Sequence, residues 1–508
     1  MSDAMKLVQP PRRTSGAPGP LVVSKTNPRY FAVDSGGGEG PLVYLTGSHA
    51  NNNLQDGLGF GLDCPDEPER FDFGDYLDFL EAHGHNFIRL WRWEQFRGQL
   101  AMAGVHCCMT PQPWPRTGQG VARDGKPKFD LNRFDPAFFD RLRERVVAAG
   151  ERGMYVSVML FEGFSLHLTA APDNIEGHPF HAENNVNGVG IRSIDDYQVL
   201  PLEPRVQAIQ EAYVGKVVDT VQDLPNVLYE VANESCGGGS IDPQFAEQMK
   251  LGGVTAWGDS TQWQYWVIRL VKQYEQQKGY QRHPVGMTMQ FPAPDAANVN
   301  APLFDGPADW ISPGSGVGPD DEQKPGGDWL SDPPPGDGRK VVISDTDHYA
   351  PFQGDALWAW KSFLRGHNPI LYDLGIIGGA KPADPTKSGP GAPPYQAFES
   401  ARYALGDTLR YAQKVQLAAM VPRSEQSSTG YALVDPGVEY LVLQPREQGG
   451  SFTATLEAGT YDVEWHDVVT RDSRGPERLL VERSGSFSFS APFAQPGAAV
   501  LHLKRTEG

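Results

Sequence analysis

Two segments of the sequence place carboxylates directly after apolar runs. Glu234 closes the segment VLYEVANE beside the amide of Asn233, and Asp345 and Asp347 follow the run KVVIS. Hydrolysis of a glycosidic bond needs two carboxyl groups that face each other across a cleft, one to protonate the leaving oxygen and one to attack the sugar or activate a water. We therefore predict Glu234 as the catalytic acid/base and Asp345 as the second carboxylate, with Asp347 as its alternative.

Other polar and aromatic side chains lie near the ends of apolar runs and are predicted to bind substrate. Arg89 stands inside the run FIRLW, where a buried guanidinium needs an acidic partner. Tryptophan faces are platforms for sugar rings, although Trp91, Trp93 and Trp114 could equally be ordinary core residues. The predicted substrate-binding residues are His49, Asn52, Arg89, Trp91, Trp93, Glu162, Asn233, His348, Tyr349 and Asp373. Glu162, Asp373 and Glu94 also stay open as sources of the second carboxylate.

A metal site is the competing interpretation of the same residues. His49, Asp345, Asp347 and His348 are all ligand types, but their spacing matches no HExxH-like pattern. The sequence also contains no GxGxxG turn between a strand and a helix, no phosphate-binding P-loop and no GxSxG elbow. We therefore expect no metal and no cofactor, and little support for nucleotide chemistry or serine hydrolysis.

Apolar runs alternate with helical segments through most of the chain, which is typical of a parallel sheet built from βαβ units. Eight such runs predict a (β/α)8 barrel, whose active site lies at the carboxyl ends of the strands. The long connections 163–204, 235–261, 313–339 and 375–394 would form the walls of its cleft. The eight predicted strands are 42–46, 87–91, 155–160, 227–231, 285–289, 309–312, 340–344 and 369–372.

The chain on either side of this pattern differs from it. Residues 1–20 form a polar, Pro- and Gly-rich segment that predicts a flexible tail, and residues 21–415 contain a short N-terminal hairpin and then the barrel. From about residue 416 to 508, short alternating runs separated by turn residues predict an antiparallel β-sandwich. We expect this sandwich to be a packing partner of the barrel.

Composition narrows the classes of partner. The formal net charge of −19 argues against nucleic acid, and no apolar run approaches the length of a membrane span. Cys64, Cys107, Cys108 and Cys236 have neither zinc-site spacing nor the density of a disulfide scaffold, so we predict free thiols. The first residues lack the apolar core of a secretory signal, which predicts a cytoplasmic protein, or a secreted one whose signal is missing from this sequence.

Several of these segments together resemble a known group of enzymes. NPRYF, YLTGSHANNNLQD, NFIRLWRWE, VLYEVANES and ISDTDH are similar to the apiosidase-like barrel enzymes, within the broad clan of retaining glycoside hydrolases. The run EYLVLQP…SFTATLEAGTYDVEWHD…GSFSFSAPF resembles a small collagen-binding-like sandwich domain found in such proteins. The resemblance implies Glu234 as acid/base and Asp345 as nucleophile. Most members of that clan have Glu at the second position, and a shorter Asp widens the gap between carboxylates, which would favour inversion.

Two other functions compete with hydrolysis of an oligo- or polysaccharide. A non-catalytic carbohydrate- or matrix-binding protein could use the barrel as a degenerate scaffold, although such a scaffold would be free to lose one of the two carboxylates. A lyase acting on uronic polysaccharides would need a cationic cleft, and the charge balance is acidic. The sequence does not specify the sugar, the linkage or the oligomeric state.

Overall fold

The barrel predicted from the sequence is confirmed. The computed structural model describes residues 16–60, 70–100, 105–168, 173–248, 250–293, 298–315, 326–349, 352–377, 379–382, 384–386, 393–495 and 497–506. Eight parallel strands form one sheet, whose neighbours follow chain order around the barrel. These strands are Gly47–His49, Phe87–Leu90, Tyr155–Glu162, Val227–Asn233, Val285–Thr288, Trp310–Ser312, Val341–Asp345 and Asn368–Tyr372.

Only the first strand differs substantially from its prediction. Residues 42 and 43 of the predicted segment belong to Glu39–Val43, which pairs with Phe31–Asp34 in an N-terminal sheet, and the barrel strand begins only after the segment, at Gly47–His49. The physical reason is that Val43 and Leu45 join the same buried apolar cluster below the barrel. The apolar run therefore covers the end of the N-terminal sheet and the buried link to the barrel, whereas the barrel strand itself, Gly47–His49, contains no large apolar residue.

The barrel closes where its first and second strands meet. The Asn86 side chain accepts a hydrogen bond from the Thr46 amide at 2.9 Å, and the Asn86 amide donates to the Thr46 carbonyl at 3.0 Å. A Cβ at Gly47 would lie 2.1 Å from the carbonyl oxygen of Phe87. Glycine is therefore required at position 47 because the two backbones approach too closely for any side chain.

Helices cover the outside of the barrel. The predicted start of one helix at Asp135 and Pro136 is confirmed, since the Asp135 side chain accepts a hydrogen bond from the Ala137 amide at 3.0 Å. Tyr395–Phe398, a single 3-10 turn, leads into the last of these helices. The α-helices are Phe73–Ala82, Pro136–Glu151, Phe164–Leu168, Asp173–Glu176, Asp195–Gln198, Pro204–Val221, Pro243–Gln248, Thr261–Lys278, Ala301–Asp305, Ala356–Leu364 and Glu399–Lys414.

A small N-terminal sheet covers the amino ends of the barrel strands. Leu21–Val23, Phe31–Asp34 and Glu39–Val43 pair antiparallel, one strand more than the predicted hairpin. Phe31 and Leu21 pack in one buried cluster with barrel residues such as Tyr155. Burial of these large side chains at roughly 25 cal/mol per Å² holds the sheet against that end of the barrel and leaves the opposite end for the site.

Two small antiparallel sheets lie in the loops that follow the first two barrel strands. Asp56–Phe60, Val105–Thr110 and Gly98–Leu100 form one small antiparallel sheet, and Arg116–Val121 pairs with Pro127–Phe129. The first of these sheets joins the loop after strand one to the loop after strand two. Both sheets come from connections that lie at the carboxyl ends of the barrel strands.

The C-terminal residues form two antiparallel sheets with a common apolar core. Phe452 and Leu456 of the smaller sheet pack with Val434, Tyr440 and Leu501 of the larger one. The strands of the larger sheet are Val421–Pro422, Ala432–Asp435, Glu439–Gln444, Ala499–Arg505, Gly459–Asp467 and Ser473–Val481, and those of the smaller sheet are Phe452–Leu456 and Gly485–Phe489. This arrangement confirms the predicted antiparallel fold.

The outer face of the larger sheet packs against two barrel helices. Trp360 and Tyr411 share a buried cluster with Leu441 and Val500. Arg471 pairs with the buried Asp407 across the same contact, at 2.7 Å. These contacts are those of a packing partner, which is the role expected for the sandwich.

One prediction about the cysteines is wrong. Cys108 is in a disulfide, whereas Cys236 is a buried free thiol, as predicted. Cys64 and the side chain of Cys107 lie outside the described part of the chain, as do residues 1–15 of the predicted tail. Sequence spacing failed here because a disulfide depends on distances between side chains in the fold.

No helix within the described ranges combines the length and the apolar character that a membrane span requires.

Candidate active site

Arg89 is the centre of a buried polar cluster inside the barrel. It lies on strand two, and its guanidinium forms a two-pronged ion pair with Glu230 of strand four, at 2.8 Å through Nε and 2.6 Å through Nη2. The prediction that Arg89 needs a buried acidic partner is met by Glu230, which the sequence analysis had not singled out. A glutamate in the middle of the buried strand VLYEV was the available signal, because it needs a cationic partner for the same reason.

The same guanidinium also reaches the carboxyl ends of two strands. Its Nη2 donates to the side-chain oxygen of Asn233 at 2.6 Å, and its Nη1 donates to Asp347 at 2.9 Å and to Asp345 at 3.3 Å. Strand two thus connects the predicted residues of strands four and seven. One cation is shared among Glu230, Asp345 and Asp347, so negative charge is in surplus around it.

Asp345 is held from several sides. Its carboxylate accepts from His49 Nε2 at about 3 Å and from the backbone amide of Asp347 at 3.0 Å, and only 1% of the residue is exposed. Burial opposes its ionisation, but His49 and Arg89 outweigh burial and hold the pKa of Asp345 well below its usual range. Asp345 is therefore an ionised group whose oxygens are already bonded to protein donors.

Asp347 differs from its neighbour in both contacts and charge. It lies on the 3-10 turn Thr346–His348, is 7% exposed, and its one charged partner within 3 Å is Arg89. Burial and the charge of Asp345 raise the pKa of Asp347 to about 6, against the opposing effect of Arg89. The carboxylate of Asp347 thus accepts fewer hydrogen bonds from the protein than that of Asp345, and more of its lone pairs are available to a substrate.

Glu234 faces Asp347 across the mouth of the barrel. One carboxylate oxygen of each residue and a ring nitrogen of His348 lie within 4.8 Å of one another. Burial, together with the charges of Asp347 and Glu162, raises the pKa of Glu234 well above its usual range. Glu234 therefore retains its proton to a higher pH than an ordinary glutamate, and it lies opposite a carboxyl group whose pKa is about 6.

The backbone of Glu234 adopts an unusual conformation. Its φ of +40° lies in the left-handed region, which costs a residue with a side chain on the order of 1–3 kcal/mol. The imidazole of His167 donates to the Glu234 carbonyl at 2.7 Å, and the Glu234 amide faces the hydroxyl of Thr288 at 3.4 Å. These neighbours hold the strained turn that directs the carboxyl group into the cluster.

Three aromatic rings line one side of the cluster. Tyr372, at the end of strand eight, stacks on His49 with ring centres 5.3 Å apart and on Trp91 at 6.0 Å. The guanidinium of Arg89 lies 4.8 Å from the centre of the Trp91 ring. Burial and the charges of Asp347 and Glu234 raise the pKa of Tyr372 well above its usual range. Tyr372 could not be predicted as a site residue, because a tyrosine that closes the apolar run NPILY has the same sequence pattern as a core residue.

Several residues predicted to bind substrate are engaged elsewhere, as is Glu94, which was left open as a source of the second carboxylate. Each of them is buried and makes at least one hydrogen bond or ion pair to a protein group. Asp373 pairs with Arg402, Tyr349 shares a hydrogen bond with Ser344, Glu162 accepts from the Ser165 amide, Asn52 donates to the Ile377 carbonyl, Trp93 donates to the Asn51 carbonyl, and Glu94 accepts from Tyr197. Glu162 also contacts Asn233 at 3.4 Å, and burial raises the pKa of Glu162 to about 8. Trp114 is packed in the main core.

His348 completes the cluster beside Asp347. Its Nδ1 shares a hydrogen bond of 2.8 Å with Ser312, and burial lowers the pKa of His348 to about 3, so the ring is neutral. Its Nε2 makes no hydrogen bond to any residue that the structure describes and lies 3.8 Å from Asp347. The structure thus brings together Arg89, Asn233, Glu234, Asp345, Asp347, His49, His348 and Trp91 from the predicted set.

Comparison with solved structures supports the fold. No protein-family model and no curated protein matches this chain in sequence. A solved glycoside hydrolase superposes with a TM-score of 0.57 at 13% identity, covering 97% of this chain and 99% of that chain. A glycoside hydrolase family 5 protein from Bacteroides vulgatus gives a TM-score of 0.55 at 13% identity, covering 96% and 94% of the two chains. The chain therefore shares its overall fold with these proteins over almost its whole length.

Proposed function

We propose that this protein is a glycoside hydrolase in which Glu234 is the acid/base and Asp347 is the nucleophile. The observation that carries the proposal is the approach of their carboxylate oxygens to within 4.8 Å, at the carboxyl ends of barrel strands four and seven. Retaining glycosidases hold their carboxyl groups about 5–5.5 Å apart, whereas inverting ones leave room for a water. The short gap supports retention, even though the second carboxylate is the shorter Asp.

The two Asp residues of the Asp-Thr-Asp segment take different roles in this proposal. The sequence favoured Asp345, but its carboxylate is bonded to His49, Arg89 and a backbone amide. A nucleophile must leave an oxygen free to form a bond to the anomeric carbon. Asp347, bound chiefly by Arg89, meets this requirement, and Asp345 positions Arg89 and the 3-10 turn.

The reaction follows from the two pKa shifts. The ionised Asp347 attacks the anomeric carbon while Glu234 donates its proton to the leaving glycosidic oxygen, which forms a glycosyl ester on Asp347 and releases an alcohol. Glu234, now ionised, removes a proton from a water that attacks the same carbon. The ester bond breaks, the sugar leaves with its original configuration, and both carboxyl groups return to their starting states.

The charge of the cluster favours a neutral sugar. Glu230, Asp345 and Asp347 share one arginine, so a substrate carboxylate beside them would meet net negative charge. This surplus supports a neutral oligo- or polysaccharide over a uronic one. The similarity of the sequence motifs to apiosidase-like enzymes supports the same class of substrate. The raised pKa of Glu234 and its strained backbone also favour catalysis over a binding-only scaffold, which needs neither.

The proposal is tested on a panel of aryl glycosides and neutral polysaccharides. We expect Asp347→Asn to lower kcat by about 10³-fold or more, and Asp345→Asn to cost less because it removes a positioning contact. Proton NMR of the first-formed product should show the anomeric configuration of the substrate. Equal activity of wild type and both variants would exclude this mechanism, and a product of inverted configuration would exclude the nucleophilic role of Asp347.

A further inference from the structure

The cluster contains a side-chain nitrogen that the proposed hydrolysis does not use and that has no hydrogen-bond partner among the described residues. Among the described residues, Nε2 of His348 has no hydrogen-bond partner, although His348 is only 4% exposed. It lies within 4.8 Å of carboxylate oxygens of both Glu234 and Asp347. A buried imidazole nitrogen directed at two carboxylates is an arrangement that transition-metal sites use.

The opposite ring nitrogen has the partner that such a site requires. Metal-binding histidines usually donate their other ring N–H to an oxygen, which fixes the tautomer and directs the lone pair at the metal. His348 Nδ1 lies 2.8 Å from the Ser312 hydroxyl, which can accept this hydrogen bond. In that tautomer the Nε2 lone pair of His348 faces Glu234 and Asp347.

We infer that Glu234, Asp347 and His348 form an inhibitory site for Zn²⁺. This inference rests on the proposed function, since the metal would occupy both catalytic carboxylates. One nitrogen and two oxygens suit Zn²⁺, whereas Mg²⁺ and Ca²⁺ prefer oxygen alone. Zinc–ligand distances of about 2.0–2.2 Å place donors roughly 3.3 Å apart, so the three side chains must close by up to about 1.5 Å.

The charges around the three ligands are compatible with a bound cation. Asp347 also pairs with Arg89 at 2.9 Å, which competes with the metal. Arg89 has Glu230 and Asp345 as further anionic partners, so it stays compensated when Asp347 turns towards Zn²⁺. Metal and sugar would use the same atoms, and Zn²⁺ should therefore compete with substrate.

Isothermal titration of the full-length protein with ZnCl₂ tests the site without requiring activity. We expect the wild type to bind one Zn²⁺ that His348→Ala does not bind. Ser312→Ala should bind it about 10–100-fold more weakly, because the ring loses its orienting partner. MgCl₂ and CaCl₂ should give no binding at this site. His502→Ala is the matched control, since it removes a buried imidazole bonded to a single carboxylate, Glu439, and should keep the site.

Thermal unfolding of each variant establishes that it is folded. Equal Zn²⁺ stoichiometry in the wild type and a folded His348→Ala would overturn the inference, as would unchanged affinity in Ser312→Ala. Activation of hydrolysis by Zn²⁺, instead of competitive inhibition reversed by a chelator, would also overturn it. Zinc binding that depends on His348 in a protein that hydrolyses no glycoside would contradict the proposed function alone. Hydrolysis without such binding would contradict this inference alone.

Discussion

Two buried charge clusters are built around arginines only three residues apart in the chain, Arg89 and Arg92. They shift the pKa of a buried glutamate in opposite directions. The Arg89 cluster contains Arg89, Glu230, Glu234, Asp345 and Asp347. The Glu94 cluster contains Arg92, Glu94, His178 and Tyr197, on the other side of the strand-two end. In the Glu94 cluster one carboxylate meets Arg92 at 3.4 Å, His178 at 3.1 Å and the Tyr197 hydroxyl at 2.6 Å.

The pKa shifts of the two glutamates show what this difference does. Both Glu94 and Glu234 are buried, and burial alone would raise both pKa values. Arg92, His178 and Tyr197 outweigh burial and lower the pKa of Glu94. Near Glu234 the carboxylates of Asp347 and Glu162 add to burial, and its pKa rises. A carboxyl group with enough donors stabilises a fold, and one short of donors keeps a proton to transfer.

The largest expected effect is a difference in kcat between substitutions of Glu234 and of Glu94. Glu234→Gln should lower kcat by about 10²–10⁴-fold, because the amide cannot donate a proton to the leaving oxygen. Glu94→Gln, assayed at a temperature where it is folded, should stay within about tenfold of the wild type, since Glu94 does not contact the carboxyl groups of Glu234 and Asp347 that we propose to react. Steady-state kinetics on one aryl glycoside compares them. Comparable losses in both variants would remove the distinction between the clusters.

The next effect concerns stability, for which we expect Glu94→Gln to be the more damaging of the two glutamate substitutions. Glu94→Gln should lower the free energy of unfolding by about 3–5 kcal/mol, because Arg92 is left buried with no anionic partner. The double variant Arg92→Met/Glu94→Gln should recover most of that loss, since it removes the unpaired charge. Guanidinium unfolding curves measure both. A double variant less stable than Glu94→Gln would show that packing of Arg92 on Tyr213, at 4.4 Å, dominates the cluster.

A smaller effect links the raised pKa of Glu234 to stability. The pKa of this group is higher in the folded than in the unfolded state, so its stabilising contribution is complete below the unfolded value near 4.5. That contribution is lost as pH rises through the folded pKa. Glu234→Gln cannot ionise, so its Tm should match the wild type near pH 4 and exceed it increasingly towards pH 8. A constant difference across that range would show that Glu234 ionises normally.

The smallest effect concerns the hydrogen bond from His167 to the Glu234 carbonyl. His167→Ala should lower kcat by roughly fivefold, the equivalent of about 1 kcal/mol for one hydrogen bond, while KM changes little. His167→Gln keeps a donor and should restore part of the loss. A fall in Tm with unchanged kcat would show that His167 supports the fold and not the position of Glu234.

Much of the architecture was predictable because apolar periodicity records which faces of an element are buried. Seven barrel strands lie within about two residues of their predicted bounds, and the Asp135 cap is where the sequence placed it. The first strand was misplaced because its residues, Gly47–His49, are not apolar, whereas the apolar run before them ends the N-terminal sheet and links it to the barrel. The Cys108 disulfide was missed because bond formation depends on proximity, which spacing along the chain does not give.

The sequence by itself determined that carboxylates follow strands four and seven and that Arg89 needs a buried acid, because strand ends and buried charges leave local patterns. Only the tertiary structure decided that Glu230 is that acid, that Tyr372 joins the cluster, and that Asp347 rather than Asp345 faces Glu234. These choices depend on barrel closure and on a 3-10 turn that directs two aspartates differently. Such distances arise between elements remote in the chain, where local periodicity carries no information.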